Sequence, residues 1–145
     1  MILDSARPTR KVIIKEQLAT DVEISPADLA KVAADAIDAK KGSEVVILDM
    51  SDLIGIVDVF VIATGASKRR ISTMIEEVDQ RLRGHGRRKL RIEGLDTCEW
   101  VLADYGDLAV HILMEDARRF YALERLWGDA PRIHWEPADT LNSQG

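Results

Sequence analysis

The stretch EWVLADYGDLAVHILM, Glu99–Met114, carries the densest set of groups able to act on or hold another molecule. It offers an aromatic at Trp100, a loop with Asp104, Tyr105, Gly106 and Asp107, and His111 within an apolar run. Three chemistries suit such a set: carboxylates holding a metal, a histidine acting on the thiol of Cys98, or an aromatic and polar surface holding a macromolecule. Metal-assisted nucleotidyl transfer needs carboxylates converging on one cation, often two residues apart on one strand. Asp49, Asp52 and Asp58 flank two apolar runs, and Asp104 and Asp107 flank a loop, but none of these runs holds a D-x-D or D-x-E pair. Cys98 would need a base and an orienting group to act as a nucleophile, and nothing in the spacing joins it to His111. His85, His111 and His134 lack ligand spacing, so no metal site is expected.

A second candidate is VIATGASKRR. A strand ending at Gly65 and a helix opening at Ser67 would leave backbone amides free, with Lys68, Arg69 and Arg70 beside them for a phosphate. The Walker and G-x-G-x-x-G spacings are absent, and a capped helix with a solvated basic end explains the same residues. A nucleotide- or phosphate-handling transferase is therefore the alternative reading, not the leading one.

Positioning these groups requires a fold, and the chain of 145 residues is long enough for one domain with a real core. At 46% apolar and 31% charged residues it reads as a soluble globular protein. No apolar run approaches the ~20 residues of a membrane span. The start of the chain carries Asp4 and no continuous apolar stretch, so no secretory signal is expected. A single cysteine fits a reducing compartment, and a cytoplasmic location is expected. Arg7, Arg10 and Lys11 leave organelle targeting as the lesser alternative.

Charge is uneven. Residues 68–91 carry 9 basic and 3 acidic groups, whereas residues 92–145 carry 4 and 11. The net charge of −5 argues against general nucleic-acid binding. An RNA-binding module would have to use Arg69 to Arg91, and the acidic last third suits a basic protein partner.

Along the chain, residues 1–25 show no clean periodicity and read as an N-terminal extension. SPADLAKVAADAIDAKKG reads as a helix capped by Ser25, with Pro26 in its first turn, Leu29, Val32, Ala33, Ala36 and Ile37 on its apolar face, and Gly42 at its end. EVVILDM and DVFVIATG are β-branched runs suited to buried strands. Ser67 caps a second helix, with Ile71, Met74, Ile75, Val78 and Leu82 on its inner face and Gly84 and Gly86 closing it. KLRIEG, EWVLAD and DLAVHILM read as strands. EDARRFYALERLWG reads as a last helix with Ala117, Phe120, Leu123 and Trp127 inside, and residues 128–145 as a tail. The economical architecture is a five-stranded mixed sheet packed with helices.

If Glu99–Ala103 and Leu108–Ile112 pair around Asp104–Asp107, Ala103 opposes Leu108, Val101 opposes Val110 and Trp100 opposes His111. Val101, Ala103, Leu108 and Val110 then share one face, and Trp100, Leu102, Ala109 and His111 the other. The second face reads either as core or as an exposed platform with Tyr105, Asp104 and Asp107 at its rim.

EGLDTCEWVLADYGDLAVHIL followed by RRFYALERLW resembles the ribosomal silencing factor family, also called Iojap-related proteins. LDMSDLIGIVDVFVIATGASKRRISTMIEEV resembles its other signature. The resemblance covers about residues 27–127, so 26–127 is taken as the domain. It implies a nucleotidyltransferase-like α/β fold without that superfamily's catalytic carboxylates, no enzymatic activity and no cofactor. It also implies binding to a ribosomal protein on the intersubunit face of the large ribosomal subunit. That would block joining of the small subunit and repress translation, whereas organelle relatives assist large-subunit assembly. Homologues form homodimers when free; no membrane and no direct sequence-specific nucleic acid is implied. Carried onto this chain, the partner-binding residues are Trp100, Asp104, Tyr105, Gly106, Asp107 and His111, with Trp100 accessible unless a second copy covers it. Glu93 and Gly94 match the family's EG pair, and Tyr121, Leu123, Glu124, Leu126 and Trp127 match the terminal helix, read as packing.

Overall fold

The computed structural model describes residues 24–53 and 55–138. Most of the expected extension (1–23) and the end of the expected tail (139–145) lie outside them. Helix α1 spans Pro26–Ala39, with Asp28 N–H donating to Ser25 Oγ at 3.2 Å and Pro26 in the first turn. Its buried face is rich in alanine (Ala30, Ala33, Ala34, Ala36), which lets the helix approach its neighbours closely. Lys41, at φ 73°, takes the left-handed position after the helix, rather than Gly42. Gly42 serves packing instead: a Cβ there would lie 2.2 Å from Ile37 Cγ2.

The strands are β1 (Ser43–Asp49), β2 (Val59–Gly65), β3 (Arg91–Glu93), β4 (Trp100–Asp104) and β5 (Leu108–Met114), in the order β1-β2-β5-β4-β3. β1 is antiparallel to β2, β2 is parallel to β5, and β5, β4 and β3 run antiparallel in turn. The sheet is thus mixed and five-stranded, as the apolar runs predict. β2 is buried throughout because it lies between two strands and is covered on both faces.

Helix α2 (Lys68–Gly84) is capped by Ser67 Oγ, which accepts from Arg70 N–H at 3.1 Å. It buries Ile71, Met74, Ile75, Val78 and Leu82, the residues its periodicity selects. α1 and α2 cover one face of the sheet, meeting Val61, Ala63, Val101, Ala103, Val110 and Ile112. The opposite face gathers Leu48, Phe60, Ile62, Ala109 and Leu113 beneath shorter cover.

That cover differs from the single last helix expected from sequence. Ala122 takes a left-handed conformation, φ 47° and ψ 55°, and divides the segment into α3 (Glu115–Tyr121) and α4 (Leu123–Leu126). Ala117, Leu123 and Trp127 pack inward as expected, but Phe120 is 81% exposed. A break of phase at Ala122 turns Phe120 away from the stripe that one continuous helix would form.

Residues 128–138 are also not a loose tail. Asp49 N–H donates to Pro131 O at 2.8 Å, and Ile133 N–H to Ile47 O at 2.9 Å, so this segment lies along the outer edge of β1. Trp135 Nε1–H then donates to Asp35 Oδ1 of α1 at 2.8 Å. Backbone bonds that would otherwise leave an open sheet edge are used here.

Candidate partner-binding face

The β4–β5 hairpin places most of the candidate residues. Its observed register pairs Ala103 with Val110, Val101 with Ile112, Leu102 with His111 and Trp100 with Leu113. The expected register is displaced by two residues, because the turn closes more tightly: Tyr105 N–H donates to Leu108 O at 2.8 Å. A two-residue displacement keeps side-chain parity, so the assignment of residues to faces survives. Trp100 and His111 become diagonal neighbours rather than directly opposed ones, still within reach of long side chains.

They touch through a hydrogen bond: Trp100 Nε1–H donates to His111 Nδ1 at 3.1 Å. Nδ1 therefore carries no proton, and the neutral ring holds its hydrogen on Nε2. His111 is only 7% exposed, so it lies beneath the surface rather than on a platform. Its ring meets the edge of Phe60 at 4.5 Å, and burial lowers its pKa to about 4. Nε2 is buried and has no hydrogen-bond partner among the described residues.

Trp100 is half-buried, so the expectation of a substantially accessible indole is met only in part. Its ring lies 4.6 Å from that of Tyr121, which in turn meets Phe120 at 5.0 Å, nearly perpendicular. Tyr121 is 46% exposed. An aromatic row thus climbs from buried His111 through Trp100 and Tyr121 to exposed Phe120. A groove of about 560 Å³ runs beside it, with Met114, Ala117 and Phe120 on its apolar side and Lys68, Glu99 and Asp116 on its rim. The sequence assigned Tyr121 to packing and Phe120 to the core. The FY pair preceding the break at Ala122 is the signal that could have flagged them, but helical periodicity alone places Phe120 inward.

Tyr105 departs furthest from expectation. It is 3% exposed and belongs to the core under α1 and α2, not to the rim of the aromatic face. Its hydroxyl donates to Asp79 Oδ1 of α2 at 3.0 Å. Burial first, and then the Asp79 carboxylate, push the phenol pKa well up. The predicted site therefore divides between the two sheet faces, with Trp100 and His111 on one and Tyr105 on the other.

Both carboxylates of the DYGD loop already have partners in the chain. Arg87 pairs with Asp107 and also donates to Tyr105 O at 3.1 Å, and Arg91 Nε lies 3.2 Å from Asp104 Oδ2. Asp79 in turn meets Arg83 at 2.9 Å and Lys89 at 3.7 Å. The basic run after α2 thus neutralises the loop from within, which explains part of its charge without RNA. Asp104 Oδ1 accepts from Gly106 N–H at 2.9 Å, with Gly106 at φ 93°. Asp104, Gly106 and Asp107 stay part-exposed, with Leu90, 69% exposed, beside Gly106.

The other candidates resolve into structure. Gly65 is required by packing, since a Cβ would lie 2.4 Å from Ile71 Cγ1, and Ser67 is occupied as a cap. Asp49 Oδ1 accepts from Ser51 at 2.7 Å in a local turn. Cys98 is buried in the helix-side cluster, with Sγ donating to Leu95 O at 3.1 Å. His111 lies on the opposite face, so the sheet separates the two. Among the described residues no three His, Cys, Asp or Glu side chains gather as a metal site would need. Gly94, at φ 90°, packs against β4: a Cβ would lie 2.1 Å from Trp100 O.

The family model described as "Ribosomal silencing factor during starvation" matches residues 23–144. The chain belongs to the ribosomal silencing factor family. The match runs past residue 127 and takes in the segment packed along β1. Among relatives, the ribosomal silencing factor of Halalkalibacterium halodurans is 37% identical over 113 residues, covering 78% of this chain and 97% of that protein. A mouse protein named "Mitochondrial assembly of ribosomal large subunit protein 1" is 32% identical over 73 residues, 48% of this chain and 32% of its own length. A crystal structure of a Chromobacterium violaceum protein superposes with a TM-score of 0.70 at 30% identity, covering 77% of this chain and 92% of the other. The family is thus one of ribosomal silencing factors, and a solved protein 30% identical to this chain shares its fold.

Proposed function

We propose that this chain docks on a ribosomal protein at the intersubunit face of the large ribosomal subunit and blocks joining of the small subunit by occupying its place. The observation that carries the reading is the aromatic row Trp100–Tyr121–Phe120, part-exposed on the sheet face away from α1 and α2. Aromatic anchors beside polar rims are what stable interfaces use, and a stable one buries roughly 1,200–2,000 Å² in total. Asp104, Gly106 and Asp107 form a second, polar contact region, with Arg87 and Arg91 already beside the carboxylates. The action is steric and needs neither catalysis nor a cofactor. A second copy of the chain would cover the same row when no subunit is present.

Sedimentation tests this. Mixed large and small subunits with the protein should give co-migration with the large subunit and fewer joined ribosomes. A protein that stays at the top of the gradient while joining proceeds unchanged sinks the reading. The name of the mouse relative favours a second role in large-subunit assembly. Depletion of the chain would then accumulate incomplete large subunits, rather than only raising the fraction of joined ones.

A further inference from the structure

Residues 92–145 are acidic overall, yet all four of their basic residues, Arg118, Arg119, Arg125 and Arg132, line one groove of about 600 Å³. They reach it from three places: α3, α4 and the segment along β1. The groove also holds three carboxylates, each with an internal partner. Glu124 accepts two bonds from Arg118, Glu115 pairs with Arg119 at 3.0 Å, and Glu44 accepts from Thr64 Oγ1 at 3.1 Å. Arg118 is 6% exposed and also donates to Thr64 Oγ1 at 2.8 Å. That engages three of the five N–H donors a guanidinium has. Arg125 and Arg132 are exposed and hold no ion pair or side-chain hydrogen bond among the described residues, although Arg132 lies within electrostatic reach of Glu124.

Fold stability by itself does not demand this arrangement. A buried Arg–carboxylate pair is often no better for folding than apolar side chains of the same volume. What the pair does supply is a fixed, buried polar group in the same groove as the exposed guanidiniums of Arg125 and Arg132. The choice of arginine is consistent: this third of the chain has no lysine. Guanidiniums present planar forks that match phosphate oxygens, where an ammonium is only a point charge. Four arginines drawn from three elements into one groove suit a polymer that carries several anionic groups.

We propose that this groove binds the phosphodiester backbone of RNA. Resting on the docking reading above, it forms a contact to ribosomal RNA separate from the aromatic row. The net charge of −5 keeps affinity for naked RNA low, so the site acts once docking brings RNA to it.

Two measurements test this. In the first, the 15N-labelled full chain is titrated at low salt with a short single-stranded RNA while the arginine Nε–H signals are followed. Arg125 and Arg132 should shift with RNA and not with a polyglutamate peptide of equal charge. No shift with RNA, or an equal shift with polyglutamate, overturns the proposal. In the second, Arg125→Gln/Arg132→Gln, altered only at exposed side chains, is compared with the unaltered chain on purified large subunits. Binding should weaken about tenfold near 0.1 M salt, and the slope of log affinity against log salt should flatten by about 1.8, for two lost phosphate contacts. Unchanged affinity and slope overturn the ribosomal contact. If the unaltered chain does not bind large subunits at all, the docking reading fails, while the RNA titration still decides the groove.

Discussion

Trp100 of β4 donates its indole hydrogen to Nδ1 of His111 on β5, 3.1 Å away, across a diagonal of the hairpin. This bond fixes the indole between a buried imidazole below and the Tyr121 ring above. A rigid, half-buried aromatic loses little freedom when a partner covers it, which is what an anchor needs.

Truncation of that anchor should therefore weaken docking. Trp100→Ala is expected to cost on the order of 2 kcal/mol of binding to large subunits, about thirtyfold. Because Trp100 also packs inward, Phe120→Ser supplies a variant that leaves the core alone, Phe120 being 81% exposed. It should lower affinity severalfold with the melting temperature unchanged. Equal binding by both folded variants would remove the aromatic row from the interface.

The burial of His111 predicts a pH dependence of stability. Burial holds His111 neutral in the fold, with a pKa near 4, while the unfolded chain binds a proton near 6.5. Between those values the unfolded state holds more protons, so stability is fully present above pH 6.5 and falls as pH drops toward 4. The contribution is about 3 kcal/mol over that window. Denaturant unfolding at a series of pH values, for the natural chain and for His111→Gln, isolates it. The two curves should converge as the solution is acidified, and parallel curves would count against a neutral buried imidazole.

Tyr105 should behave as a fold residue and not as an anchor. Tyr105→Phe removes the hydroxyl bonded to Asp79 and should cost about 1–2 kcal/mol of stability, while affinity for the large subunit stays the same. A loss of affinity in a stably folded variant would instead mean that the loop opens on binding.

Gly94 supports the anchor through backbone alone. Its φ of 90° and the 2.1 Å approach of a would-be Cβ to Trp100 O involve no flexible side chain that could yield. Gly94→Ala should destabilise the protein by on the order of 2–4 kcal/mol and change the fluorescence of Trp100. An unaltered melting curve and emission spectrum would show that β4 can shift without consequence.

Much of this architecture was legible beforehand, for reasons local to each segment. The caps at Ser25 and Ser67, the inner stripe Ile71–Leu82 and the apolar runs of β1, β2 and β5 each depend on neighbours within a few turns or one strand. The two faces of the β4–β5 hairpin were legible as well, because alternation is insensitive to a slip of two residues. The direction in which β2 meets β5 was not, since that pairing joins residues about fifty apart along the chain.

The sequence by itself determined the family signatures, the fold class and the membership of Trp100 and His111 in one sheet face. Each follows from side-chain type and period, which short segments carry within themselves. Tertiary structure alone decided that Tyr105 turns to Asp79 of α2, that Arg87 neutralises Asp107, and that Phe120 emerges beside Tyr121. It also decided that the arginines of the last third converge on one groove. These depend on where distant segments pack and on a single left-handed residue at Ala122. No periodicity encodes either one, because the energy that selects them comes from contacts between elements and not from within any one of them.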